Sequence, residues 1–459
     1  MAMVYDKNLG FDPLGIAGKT GSAFGFTPDS NADFHDFVFG DQEHTKKKFW
    51  QSKKKKRRKF TAEEKSEWLR SQVKLKNLKQ RKSRKVIAKQ NKKVKARLKF
   101  LTRCGTSMGY GAGKTSVMKT DTHAFYKGLN HCKSIWACPV CSEKILKKRQ
   151  KEIDQALGKA YSSGMKVAMV TFTVWHSLGM SLDSLAKTFK KAVKRFNKDR
   201  QQRNRFAKIG LHWKIEGFEV TVGYQNGWHF HLHTLWIVDE QTFQMIGELE
   251  EEFQNHWLHV YKQSGGKVPK DREEIFLQRG FVVSRNSDGS VFECHSGKYI
   301  CGWGSDNELT GLSTKKCKNG NRTPFELLSD EMTEQDEKLW IEYCLATKGK
   351  RRIIFSRGLK EWAGIETKTD DTLLEETELE EENNAREICY FDVESWEKIV
   401  EADKRKTVLQ DILDVAYWKE YDGVYTYCLE NGLPPPKLSD EGRAKMEEEM
   451  LGGAGCIFK

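Results

Sequence analysis

Residues 227–238 constrain the fold most, because polar and apolar side chains alternate along them with the period of a β-strand. One face of such a strand carries His229, His231 and His233. The opposite face carries apolar side chains: Phe230, Leu232 and Trp236. Imidazoles two residues apart on a strand lie about 7 Å from each other, so two of them can bind one metal ion. The alternative interpretation is an exposed histidine-rich face that binds no metal.

A second strand is predicted over residues 214–222, and Asn226-Gly227 is a strong signal for the turn of a β-hairpin. A three-residue loop over 225–227 would pair Tyr224 with Trp228 and place Glu219 opposite His233. Directly opposed residues share a face of the sheet. Glu219 is therefore the candidate third ligand beside His231 and His233, an open and catalytic type of metal site. A surface ion pair is the alternative role for Glu219.

The cysteines predict a second metal site. The chain has eleven, an odd number that argues against a disulfide framework in a reducing compartment. Cys138 and Cys141 form a CxxC knuckle that, with Cys104 and Cys132, makes a four-sulfur set suited to structural Zn²⁺. His123 and His131 are substitutes if one cysteine is not a ligand. A redox CxxC and unligated loop cysteines are the alternatives.

The positive charge is concentrated near the N-terminus and predicts binding to nucleic acid. The net charge is +15, but residues 46–99 hold 25 Lys and Arg against three acids, so the remainder is net acidic. Such a segment favours a polyanionic partner, with a solvated linker as the alternative. A helical pattern over 61–98 has a sparse apolar stripe and is expected to be marginal until it lies along phosphates. The predicted DNA-binding block is Lys53, Lys54, Lys55, Lys56, Arg57, Arg58 and Lys59.

Other classes of protein are disfavoured. No apolar run approaches the roughly 20 residues that span a bilayer, and residues 1–33 lack a secretory apolar region, so a cytoplasmic protein is expected. Residues 109–115 are not a Walker A phosphate loop, because three residues rather than four separate the glycines. The predicted organisation is a disordered and basic arm (1–100), a zinc-binding segment with a helix (101–160), a catalytic domain (161–365), an acidic linker (366–386) and a small helical module with a tail (387–459).

Several motifs occur in an order that resembles one known family. They are Val170-Thr171-Phe172-Thr173, Glu219-Val220-Thr221, residues 227–233 with His231-Leu232-His233 at their core, Lys298-Tyr299, the Cys132 to Cys141 segment, residues 322–328 and Ser356-Arg357-Gly358-Leu359. This set resembles the rolling-circle replication initiators (Rep) of plasmids and phages, which are HUH endonucleases. The resemblance covers roughly residues 103–365. It implies an α+β fold with a central antiparallel sheet flanked by helices.

The resemblance also implies roles for individual residues. His231 and His233 would bind Mg²⁺ or Mn²⁺ with Glu219, and Tyr299 would be the nucleophile. His229 and Lys298 are expected next to the ligands without binding the metal. Attack by Tyr299 on single-stranded or cruciform origin DNA would leave a 5′-phosphotyrosine and a 3′-OH, so the strand could be nicked and rejoined. A host helicase, a polymerase and a second copy of the chain are the implied partners.

The sequence departs from the family at some positions, and these keep alternatives open. The family usually has a lysine three residues after the tyrosine, where this chain has Gly302, and four residues before the tyrosine it has His295. Other tyrosines could serve as nucleophile: Tyr224, Tyr261 and Tyr343. The alternative functions are a conjugative relaxase, a transposase of the same chemistry, or a zinc-containing DNA-binding protein without catalysis.

Overall fold

The computed structural model describes residues 61–297, 300–301, 321–439 and 443. Its β-strands are β1 (Lys114–Lys119), β2 (Ala124–Lys127), β3 (Met165–Thr173), β4 (Leu211–Gly223), β5 (Gly227–Asp239), β6 (Phe281–Val283), β7 (Asn321–Arg322), β8 (Ile353–Phe355) and β9 (Arg386–Asp392). The basic block at residues 53–59, the pair Lys298-Tyr299 and the tail beyond 443 lie outside the described residues.

The α-helices of the described chain belong mostly to the layers around these strands. They are α1 (Ala62–Ala88), α2 (Lys92–Arg97), α3 (Lys99–Arg103), α4 (Pro139–Ser162), α5 (Leu182–Lys198), α6 (Arg200–Lys208), α7 (Met245–Glu248), α8 (Glu250–Gln263), α9 (Glu273–Gly280), α10 (Glu334–Thr347), α11 (Leu359–Trp362), α12 (Asp370–Asn383), α13 (Val393–Asp403) and α14 (Val408–Glu430). Short 3-10 turns are Glu240–Thr242, Lys270–Arg272 and Pro324–Leu328.

The larger sheet is antiparallel, with the strand order β6-β3-β5-β4-β7, and β8 pairs with another part of β4. Its long central strand β5 contains all three histidines of the predicted metal face. Helices cover the sheet, and α5 packs its phenylalanines against the face that carries Phe230. The predicted central antiparallel sheet flanked by helices is therefore present.

The β4–β5 hairpin forms in a different register from the one predicted. Gly223 pairs with Gly227, whose φ of +73° is readily adopted by glycine, so the loop is residues 224–226. Glu219 consequently lies opposite His231, and Gly217 lies opposite His233. The pairing is shifted by two residues. Since side chains alternate with a period of two, Glu219 keeps its place on the histidine face.

A second, three-stranded sheet corrects the prediction of a purely helical C-terminal module. β9 pairs with β1, which pairs with β2, in the antiparallel order β2-β1-β9. α13 and α14 pack on this sheet around a second apolar core that includes Val117, Phe391 and Trp396. The module is thus completed by two strands from the segment between Cys104 and Cys132.

The acidic stretch expected to be a linker forms a docked helix. α12 buries Leu373 and Leu374. Its acids pair with cations of α4 and the preceding loop: Arg149–Asp370 (2.6 Å), Lys144–Glu381 (2.7 Å), Lys148–Glu380 (2.5 Å) and Lys133–Glu375 (2.8 Å). The prediction of a linker was wrong because the acids have a distant basic helix as partner.

The helix of the basic arm is also docked, contrary to the expectation that it is marginal without phosphates. α1 begins with a capping box formed by Thr61 and Glu64. Val86 and Ile87 are buried in the main core, and the Trp340 indole donates to Ser83 Oγ at 3.0 Å. Arg81 pairs with Asp403 at 3.2 Å. The apolar stripe is short, but protein contacts along the helix hold it.

Within the described ranges, no helix combines the length and the apolar character needed to cross a membrane.

Candidate metal centres and active site

The four predicted zinc ligands converge at the N-terminus of α4. The sulfur of Cys104 lies 3.8 Å from that of Cys138 and 3.6 Å from that of Cys141, and Cys132 lies 3.7 Å from Cys141. Two sulfurs bound to one tetrahedral Zn²⁺ at about 2.3 Å are about 3.8 Å apart. The observed spacings therefore fit a four-sulfur zinc site. Groups of three or more His, Cys, Asp or Glu side chains can hold a metal ion when their ligand atoms lie close together. Among the described residues, these four cysteines form such a group, with all four sulfurs within 4.8 Å of one another.

Hydrogen-bond donors surround the sulfurs as they would surround thiolates. The backbone N–H of Cys141 donates to Cys138 Sγ at 3.5 Å, and that of Cys132 donates to Cys104 Sγ at 3.2 Å. Burial opposes the charged form, but hydrogen bonds from the neighbouring thiols hold the pKa of Cys138 well below its usual range. His131 Nδ1 lies 3.8 Å from Cys141 Sγ, whereas His123 binds Glu381 at 2.9 Å instead.

Gln80 of α1 belongs to this site and was not predicted from the sequence. Its side-chain amide donates to Cys104 Sγ at 3.2 Å and to Cys138 Sγ at 3.3 Å. Arg84, one turn later, donates to Gln80 Oε1 and to the carbonyl of Cys104, both at 3.1 Å. Neutral amide donors of this kind orient metal-bound ligands and stabilise their charge. No local signal identifies Gln80, since it lies in the basic arm.

The histidine face of β5 is assembled as predicted. The ring centroids of His231 and His233 are 5.8 Å apart, and those of His229 and His231 are 3.7 Å apart. Each of the three residues keeps part of its surface exposed. The row therefore lines an accessible surface of the sheet rather than a sealed core.

His233 is held between the two neighbouring strands. Its Nδ1 lies 3.0 Å from Thr171 Oγ1 on β3, and its Nε2 lies 3.0 Å from Glu219 Oε2 on β4. Adjacent ligands of an octahedral ion with bonds of about 2.1 Å are also about 3.0 Å apart. His233 and Glu219 are thus in hydrogen-bond contact, at a spacing that two ligands of one ion can also have, and His231 lies directly opposite Glu219.

The surroundings keep the imidazoles of His229 and His231 neutral. Desolvation by the protein lowers the pKa of His231 to about 4, and Glu219 offsets this only in part. Desolvation, reinforced by His231, lowers the pKa of His229 well below its usual value. A neutral imidazole has a free nitrogen lone pair, which is the form that binds a metal. Near neutral pH, these two rings therefore offer free lone pairs rather than positive charge.

A fourth histidine, His176, extends the row and was not predicted. Its ring stacks on that of His229 with the centroids 4.4 Å apart. Desolvation also lowers the pKa of His176. His176 follows β3, whose last residue Thr173 pairs with His231. The sequence signal that could have identified His176 is its position, three residues after a strand that pairs with the histidine strand.

Tyr299 and Lys298 lie outside the described residues, but the residues on either side of them are placed. Gly297 donates its N–H to Asp154 Oδ1 of α4 at 2.7 Å, and the N–H groups of Ile300 and Cys301 donate to the Gly297 carbonyl at 3.1 Å. Ile300 and Cys301 are buried. The backbone that flanks the predicted nucleophile is therefore anchored to α4 and the core.

Gly217 brings this anchored turn to the histidine face. A Cβ on Gly217 would lie 2.6 Å from the carbonyl oxygen of Ile300, so only glycine permits the approach. Gly217 is directly opposite His233, and opposed residues share a face. The residue that follows Tyr299 in sequence therefore packs on the same side of the sheet as His233 and Glu219.

The alternative tyrosines occupy other environments. Tyr261 and Tyr343 are buried, donate to the carbonyls of Trp175 (3.1 Å) and Trp136 (3.0 Å), and have pKa values raised by burial. Tyr224 is 52% exposed and donates to Asp336 at 3.1 Å. Tyr261 and Tyr343 thus serve as structural tyrosines, and Tyr224 remains the accessible rival.

Comparison with known proteins relates the chain to replication proteins. Residues 123–269 match a family described as "Replication protein". The chain is 30% identical over 306 residues to "Protein rep" of Streptomyces lividans, covering 53% of this chain and 66% of that protein. It is 28% identical over 173 residues to "Neomycin resistance protein" of Streptomyces cyanogenus, covering 30% of this chain and 39% of that protein. No solved structure matches.

The family match includes three of the four cysteines, Cys132, Cys138 and Cys141, and the whole β4–β5 hairpin with its histidine row. Over its central region, this chain is therefore similar to replication proteins, and the aligned region spans just under two thirds of the Streptomyces lividans protein.

Proposed function

We propose that this protein is a rolling-circle replication initiator that nicks and rejoins one strand at a plasmid or phage origin, with Tyr299 as the nucleophile. The observation that carries the proposal is that Ile300, the residue after Tyr299 in sequence, packs against Gly217 on the histidine face. The similarity to replication proteins over residues 123–269 supports the same function.

The residues suit a metal-assisted reaction. His231, His233 and Glu219 would hold Mg²⁺ or Mn²⁺, which would supply positive charge beside the phosphate oxygens. Glu219 contributes the hard oxygen that these ions prefer, and the low pKa of His231, about 4, keeps that ring neutral and able to bind. Thr171 fixes the His233 ring through Nδ1, which directs Nε2 toward Glu219.

The chemistry uses one tyrosine and conserves the energy of the broken bond. The Tyr299 hydroxyl oxygen would attack phosphorus, form a 5′-phosphotyrosine and release the 3′-oxygen of the neighbouring nucleotide. The free 3′-OH can prime synthesis, and its attack on the phosphotyrosine would rejoin the strand. A tyrosine with an ordinary pKa near 10 needs such assistance at neutral pH. Single-stranded origin DNA is the proposed substrate, with a host helicase and polymerase as partners.

The first test follows the covalent product. The full chain is incubated with a 5′-labelled or a 3′-labelled single strand from its origin, with Mn²⁺ or with a chelator. We expect the label on the 3′ side of the nick to become protein-linked only with metal, and the linked peptide to contain residue 299. Binding without a cut strand or an adduct would overturn the proposal and leave a non-catalytic DNA-binding protein.

A second prediction concerns Gly217. Gly217→Ala places a methyl group 2.6 Å from the Ile300 carbonyl, so the turn must move away from His233. We expect strand cleavage to fall by about 100-fold, because a displacement on the order of 1 Å costs about that much. Single-strand affinity should change little. The measurement is cleavage rate at saturating DNA.

The matched control is Gly158→Ala on α4, where an added Cβ has nothing within 4 Å. It should cleave at the normal rate and gain about 0.5–1 kcal/mol of stability from helix propensity. Equal cleavage rates for the Gly217 and Gly158 variants would show that the contact between Gly217 and Ile300 does not position the active site.

A further inference from the structure

Helices α5 and α6 carry a concentration of positive charge that the proposed chemistry does not use. Residues 187–208 contain ten Lys and Arg and one acid, Asp199, a net charge of +9. The chain outside this stretch and the basic arm is strongly acidic. A basic surface that stands out from acidic surroundings focuses attraction for a polyanion.

The cations on α5 lie along one line of the helix. Lys187, Lys191, Lys194 and Lys198 follow the i, i+4, i+7, i+11 spacing that keeps side chains on one face. All four are exposed. They span about 16 Å at 1.5 Å per residue, a length comparable to about five base-pair steps of a DNA duplex. We call this row the α5 stripe.

Neighbouring acids neutralise little of this surface. Lys187 pairs with Asp183 at 2.5 Å, and Arg205 pairs with Glu252 at 2.7 Å. The other exposed cations of residues 187–208 make no ion pair with any described residue: Lys191, Lys194, Arg195, Lys198, Arg200, Arg203 and Lys208. Asp199 is engaged as the cap of α6, where it accepts from the N–H of Gln202 at 3.0 Å.

The α5 stripe faces away from the histidine site. On the other side of α5, Phe189 packs against Phe218 and Phe230, with ring centroids 6.2 Å and 5.3 Å apart. Phe230 alternates with His229 and His231, so it lies on the opposite face of the sheet. The sheet therefore separates the stripe from the nucleotide that reacts.

We propose that the α5 stripe binds the phosphate backbone of duplex DNA that flanks the reacting strand. A rigid, straight row of cations suits the regular backbone of a duplex. Single-strand grooves instead combine cations with aromatic side chains for base stacking. The exposed aromatic residues of the described chain lie elsewhere: Tyr110, Tyr224, Trp418 and Tyr425. The choice of DNA among polyanions rests on the proposed function, but the contact itself requires no chemistry at Tyr299.

The test compares two full-length variants with the same loss of charge. The first is Lys191→Gln/Lys194→Gln/Lys198→Gln. The control is Lys267→Gln/Lys338→Gln/Lys419→Gln, three exposed lysines outside α5 and α6 without an ion pair to a described residue. Affinity for a short duplex and for a single strand of the same sequence is measured over a series of salt concentrations. Circular dichroism checks that both variants are folded.

We expect the stripe variant to lose duplex affinity by about tenfold or more at low salt. The slope of log affinity against log salt should fall by about 2.7, which is three phosphate contacts at about 0.9 each. The control should keep the slope of the unmodified protein, and single-strand binding and cleavage should be unchanged by either variant. Equal effects of the two variants, an equal loss for the single strand, or unchanged duplex binding would each overturn the proposal. Failure of the proposed cleavage reaction would leave this contrast readable, since it is measured by binding alone.

Discussion

Tyr299→Phe should abolish the covalent protein–DNA adduct and lower strand cleavage by on the order of 10⁴-fold or more, as expected when a nucleophile is removed. The change deletes one oxygen atom, so DNA affinity and thermal stability should stay close to those of the unmodified protein. The measurement is adduct formation on a labelled single strand with Mn²⁺, followed on denaturing gels. If Tyr299→Phe still formed the adduct in normal yield, the nucleophile would have to be another residue.

Tyr224→Phe is the matched control, because Tyr224 is more accessible than the buried alternatives Tyr261 and Tyr343. Its hydroxyl donates to Asp336 at 3.1 Å, and Arg322 lies over its ring at 4.2 Å from the centroid. Losing that hydrogen bond should cost about 1 kcal/mol of stability and leave cleavage intact. The reverse pattern, with cleavage lost in Tyr224→Phe and kept in Tyr299→Phe, would exchange the two assignments.

Cys141→Ser should remove the ability of the four-cysteine site to hold a structural metal. Cys141 is fully buried at the start of α4, and its sulfur lies within 3.8 Å of Cys104, Cys132 and His131. A serine hydroxyl is a far weaker ligand for Zn²⁺ than a thiolate. Structural zinc contributes directly to folding energy, so we expect the free energy of unfolding to fall by about 3 kcal/mol or more, which corresponds to a drop of roughly 3–4 °C or more in Tm for a folded unit of this size. Metal content per chain and thermal melting are the measurements.

Cys389→Ala controls for the loss of a buried thiol. Cys389 is fully buried in the second core, and burial raises the pKa of its thiol, so it behaves as a small apolar side chain. This variant should bind metal as the unmodified protein does, and its free energy of unfolding should fall by about 1 kcal/mol. If Cys141→Ser retains one bound metal per chain with normal melting, the four-sulfur site is not structural.

The sequence predicted the histidine face because strand periodicity is a local property. Alternation along β5 is enough to place His229, His231 and His233 together and Phe230 behind them. The register of the hairpin was wrong by two residues, since Asn226-Gly227 marks a turn without fixing which residue begins β5. Glu219 nevertheless lies on the predicted face of the sheet, because a shift of two residues preserves the face.

Contacts between distant segments could not be predicted in this way. The apolar stripe of α1 shows one face that can be buried, but not that Trp340 and Asp403 bind it. The acidic composition of α12 predicts its negative charge. It does not predict that Lys144, Lys148 and Arg149 of α4 pair with that charge. β9 completes a sheet with strands more than 250 residues earlier in the sequence. These pairings depend on the assembled fold rather than on local pattern.

The amide of Gln80 on the sulfurs of Cys104 and Cys138 bears on how the positively charged N-terminal region can be dissected. A deletion that continues through Gln80 would remove both hydrogen bonds that this residue donates to the cysteine sulfurs. The same deletion would remove lysines and arginines of α1. Weakened DNA binding in such a shortened protein would then report damage to the fold as much as lost charge. Truncations intended to isolate the effect of residues 53–59 should therefore end before Thr61, where the capped helix begins.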